Sequence, residues 1–99
     1  MAKHTRKNAA GTSFHGTTIT ATPQQLIDLF PNSYYRQNDG RDKTNFDFTL
    51  ETESGNVFTI YDWKEYRSLD MNERVRWHVG ANNKEISMEG AAEVRALLK

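Results

Sequence analysis

The sequence predicts an α+β fold, a small antiparallel sheet of three or four strands in the order β-α-β-β-β-α with two helices on one face. Three observations carry this expectation. A capped helix start stands at Thr22-Pro23, apolar residues alternate from Thr44 to Thr52, and a helical stripe runs from Gly90 to Leu98. The chain has 99 residues, 36% of them hydrophobic, which suits one core and one domain.

Residues 1–16 carry Lys3, Arg6 and Lys7, no acid and one large apolar side chain, Phe14. They read as a flexible basic N-terminal arm, and residues 17–99 as a single α+β domain. Removing those three bases from the 13 leaves the body at −3 against its 13 acids. Thr17 to Ala21 is a short β-rich run. Thr22 then serves as an N-cap, Pro23 fits the first helical position, and Gln25 completes a capping box. Leu26, Ile27, Leu29 and Phe30 form the apolar side of this helix, and Pro31 stops it.

Residues 31–43 form a polar connector with turn chemistry at Asn38-Asp39-Gly40. Phe46, Phe48 and Leu50 share one face of the next strand, and Asn45, Asp47, Thr49 and Glu51 the other. Glu53-Ser54-Gly55-Asn56 turns the chain into Val57–Trp63, a strand apolar enough on both faces to be central. After a polar connection, Val75, Trp77 and Val79 alternate with Arg74, Arg76 and His78. Gly80 to Lys84 reads as a loop, and Ser87 as the cap of the last helix. The second sheet face is polar and open to water or a partner.

Composition removes several function classes. The 13 basic and 13 acidic residues cancel, which disfavours both a cationic nucleic-acid binder and an acidic mimic. With no cysteine there are no disulfides, thiolate metal sites or cysteine nucleophiles. No apolar run approaches the ~18 residues of a membrane span, and no hydrophobic signal core is present. The expectation is a soluble protein of the cytoplasm, with no membrane partner, no cofactor and no metal.

Aromatic residues interleave with bases at Tyr34-Tyr35-Arg36 and at Trp63-Lys64-Glu65-Tyr66-Arg67. Such sets anchor protein interfaces, or stack on a base while a cation meets phosphate. Both segments flank strand ends, so they form the leading candidate rim. Two turns expose amides beside a lysine and can cup an anion. One carries Arg41 and Lys43, the other Asn83 and Lys84. His78 sits on the outward strand face, where Asp62, Asp47 or Glu51 can neighbour it as an acid–base pair. A surface histidine in a ladder of opposite charges explains that pattern better. Nucleophile-elbow and metal-ligand spacings are absent, so no enzyme is expected.

The stretch Val57-Phe58-Thr59-Ile60-Tyr61-Asp62-Trp63-Lys64, followed by Trp77-His78-Val79-Gly80, resembles small, mostly uncharacterised bacteriophage accessory proteins. The likeness covers roughly residues 16–98, including the capped helix Thr22–Phe30 and the turn Asp39–Lys43. It departs at Pro31-Asn32, where a glycine is expected. It implies a phage origin, in the host cell cytoplasm, and no settled activity; phage proteins of this size are often accessory products that bind and disable host or defence components. A second likeness is to double-stranded RNA-binding domains, whose last helix is similar to Ala91–Leu98. Their lysine-rich helix start is replaced here by Lys84-Glu85-Ile86-Ser87-Met88-Glu89. The functional expectation is a non-enzymatic inhibitor or modulator. The alternative is nucleotide or nucleic-acid binding, for example as a cyclic-nucleotide sponge. An exposed edge strand also allows a homodimer.

Overall fold

The computed structural model describes residues 1–31, 46–63 and 69–98, with the backbone alone of Tyr34 and Tyr35. Its elements are β1 (Lys3–His4), β2 (Ser13–Ala21), α1 (Pro23–Leu29), β3 (Tyr34–Tyr35), β4 (Phe46–Glu51), β5 (Val57–Tyr61), β6 (Val75–Ala81) and α2 (Lys84–Leu97). The fold is α+β, as predicted. All pairings are antiparallel, in the order β1-β4-β5-β6-β2, and β3 also pairs with β4. The path therefore holds five strands, and the sheet six with β3, where three or four were expected; the N-terminal segment contributes β1.

Alternation in β4 places Phe46, Phe48 and Leu50 on the inner face. Register carries that face across the sheet, since Phe48 opposes Ile60 and Ile60 opposes Val79. Phe58 and Trp77 join the same buried layer. Both helices cover it. Gly90 of α2 lies against the Phe58 ring, and Phe30, the C-cap of α1, meets Phe48 edge-on at 6.3 Å. As its two apolar faces suggest, β5 is central.

Local signals explain the element ends. Thr22 and Gln25 form the reciprocal capping box read from the sequence. The β4–β5 turn closes with Gly55 N–H donating to Thr52 O, and Gly55 sits at φ +89°, a conformation that favours glycine. The α2 start differs from expectation. Asn83 is the N-cap, its side chain accepting from Ile86 N at 2.8 Å. Ser87 lies one turn inside the helix, buried, where its hydroxyl donates to Lys84 O and meets Thr17 Oγ1.

The flexible-arm reading of residues 1–16 is corrected. Lys3 and His4 pair with Glu51 and Leu50, Ala2 and Thr5 are buried, and Thr5 N–H donates to Thr49 O. Lys7 Nζ donates to Glu51 and to Gly55 O. The segment crosses one end of the outer face and enters β2 at Ser13. Long-range pairing holds it, and its local composition does not reveal that.

Candidate binding surface

Strand register assembles the outer face. Asp47, Tyr61, His78 and Thr18 stand opposite one another across β4, β5, β6 and β2. In the next rung, Phe14 opposes Gly80. Between these rungs β2 carries two extra residues, a bulge spanning His15 to Thr17. Gly80 lies under Thr59, where a Cβ would meet Thr59 Oγ1 at 2.7 Å, and the Phe14 ring lies flat on His78, with centroids 3.8 Å apart and planes 12° apart. Trp63, just past β5, stacks on His78 at 6.2 Å and 24°. Tyr61 meets both rings edge-on, at 5.6 Å from His78 and 6.0 Å from Trp63.

The result is a four-ring cluster whose outer members remain in solvent. Phe14 is 42% exposed and Trp63 39%. Arg76 stands on the same face and donates to Thr18 Oγ1 at 3.3 Å. Burial, with Arg76 as a smaller cause, holds His78 below the ordinary histidine value, and its buried Nδ1 has no hydrogen-bond partner among the described residues. The folded protein therefore takes up this proton less readily than the unfolded chain, whose value is near 6.5. His78 contributes no pH dependence well above that value. Stability falls as pH drops through it toward the folded value. Phe14→Ala uncovers the ring and is expected to move the His78 titration back upward, read from its Hε1 resonance by NMR.

The acid–base pairing of His78 with Asp62 does not form. Successive strand residues face opposite ways, so Tyr61 outward sends Asp62 inward, where its carboxylate is fully buried and accepts from Phe46 N at 2.7 Å. Ser13 and His15 form another close pair, with Oγ 3.3 Å from Nε2. That same Nε2 lies 3.0 Å from Ala81 O, a group that only accepts, so Nε2 carries the proton and is no base toward Ser13.

Of the residues chosen from sequence, Trp63 and His78 come together. Arg36, Arg41, Lys43, Lys64, Tyr66 and Arg67 lie outside the described residues, as do the side chains of Tyr34 and Tyr35. Asn83 is exposed and caps α2, its side-chain oxygen accepting from Ile86 N. Lys84 lines a groove of about 440 Å3 between β2 and α2 with Met88 and Arg95. Phe14 was missed because it falls in the supposed arm. Its being that segment's only Phe, Tyr or Trp was the available signal.

No protein-family model, curated protein or solved structure matches the chain. Among the described residues, no group of three or more His, Asp or Glu side chains is placed to hold a metal ion, and no helix is long and apolar enough to cross a membrane.

Proposed function

We propose that the protein is a small non-enzymatic binding module. Its outer face around Phe14, Tyr61, Trp63 and His78 docks a host or defence protein and modulates it. The observation that carries this is the joint exposure of Phe14 and Trp63, two large rings stacked on one histidine. Rigid exposed aromatics contribute contact area at small entropic cost, and such residues dominate interface energetics. The likeness to phage accessory proteins is what selects a host component as partner.

The test is affinity purification from bacterial lysate with wild-type protein and Trp63→Ala side by side, read by quantitative mass spectrometry. One protein recovered near stoichiometry by wild type, and weakened at least about tenfold by Trp63→Ala, is expected for an anchor worth about 2 kcal/mol or more. Equal recovery by both proteins, or no specific partner, overturns the reading. A second reading, nucleotide or nucleic-acid binding, is favoured by the near-parallel rings of Phe14, His78 and Trp63, since flat exposed rings are platforms for bases. It requires a thermal shift with nucleotides or oligonucleotides, salt-sensitive for the latter.

A further inference from the structure

Between the crossing N-terminal segment and the sheet lies a cleft of about 270 Å3, lined by Ala9, Thr12, Ser13, Asp47, Thr59 and Tyr61. Five of these six residues carry a side-chain oxygen, and none carries a positive charge. Thr12 Oγ1 already donates to Ala9 O at 2.8 Å, which leaves its lone pairs free to accept. Among the described residues, no cation or hydrogen-bond donor reaches the Asp47 carboxylate. Burial, and then the Asp62 carboxylate, hold Asp47 above the ordinary aspartate value. Burial, and then Asp47, do the same to the Tyr61 phenol. Among the described residues the cleft therefore presents Asp47 as an exposed carboxylate with no counter-charge beside it.

We propose that this cleft binds a primary ammonium group on a short alkyl stem, with Asp47 as counter-ion and the Thr12, Thr59 and Tyr61 oxygens as acceptors. An ammonium radiates three donors and suits acceptors spread around a point, whereas a guanidinium needs a flat, paired set. An anion is repelled by Asp47, and a quaternary ammonium leaves the oxygens without donors. The Tyr61 ring adds cation–π attraction. The site goes beyond the partner docking proposed above and does not depend on it, although both use Tyr61.

The test is an NMR titration of the full chain at pH 7 with butylammonium chloride, against sodium chloride at equal ionic strength. Saturable shifts at Thr12, Ser13, Thr59 and Tyr61 are expected, with an affinity on the order of millimolar for so small a ligand. Asp47→Asn is expected to weaken binding at least about tenfold, as loss of a charge-assisted contact should. In the wild type, ligand should be released as pH falls through the Asp47 titration. The sign of the Asp47 shift also predicts that Asp47→Asn melts no lower than wild type, so lost binding is not lost folding. A parallel titration with Nα-acetyl-lysine N-methylamide distinguishes sources. Equal affinity assigns recognition to the ammonium alone, and tighter binding points to a protein lysine. Shifts that do not saturate, that scatter over the surface, or that persist unchanged in Asp47→Asn and at low pH overturn the proposal.

Discussion

Trp77→Ala is expected to cost about 3–5 kcal/mol, the range for deleting a large buried aromatic side chain. Trp77 is fully buried in β6, at the centre of the inner face. Its indole meets Phe46 and Phe48 edge-on, each at 5.9 Å, and its Nε1–H donates to Ala21 O at 2.9 Å. Both rings and the end of β2 therefore lose a partner together. A domain of this size is stable by roughly 5–15 kcal/mol, so the variant keeps a small remainder at best. Urea denaturation followed by circular dichroism reads the loss. Trp77→Phe separates the two contributions. It keeps most of the packing and orphans the Ala21 carbonyl, and is expected to cost about 1–3 kcal/mol. A variant as damaging as alanine would place the weight on the hydrogen bond.

The elements that could be read from sequence are those whose signal is local. Thr22, Pro23 and Gln25 specify the α1 start through contacts no more than three residues apart. Phe46, Phe48 and Leu50 specify a strand face by their spacing alone. The β1 pairing is different in kind. Lys3 and His4 carry no strand signal, and their partners Glu51 and Leu50 are nearly fifty residues away. Composition read them as a mobile arm for that reason. Asn83 and Ser87 both have cap chemistry. What decides between them is tertiary, because Ser87 is needed inside the helix to meet Thr17.

The candidate surface was half legible for the same reason. Trp63 and His78 were each chosen on residue type, one for an aromatic–basic run and the other for an outward imidazole. Their meeting follows from the register that sets Tyr61 opposite His78. Register is specified by the whole inner face and not by either segment. Phe14 depends further on the two-residue bulge in β2, which nothing in the sequence announces beyond Gly16 at φ +89°.

Gly90→Ala pits two effects of known sign against each other. Gly90 sits inside α2, where alanine is the better helix former by about 1 kcal/mol. A methyl there, however, lands 2.7 Å from Phe58 Cδ2 and Cγ and 2.8 Å from Cδ1, on the ring itself. Those atoms belong to a fully buried side chain held between Leu50 and Ala81 on neighbouring strands. The ring has no solvent to retreat into, so the helix must lift from the sheet. Overpacking of this kind costs about 1–3 kcal/mol, and lifting α2 also loosens Ala91 and Val94, both buried beside it. The clash is expected to exceed the propensity gain and lower the melting temperature. Adding Phe58→Leu makes room for the methyl, so the double variant should lose less than the two single losses combined. Strict additivity, or a more stable Gly90→Ala protein, would show that α2 does not approach β5 this closely.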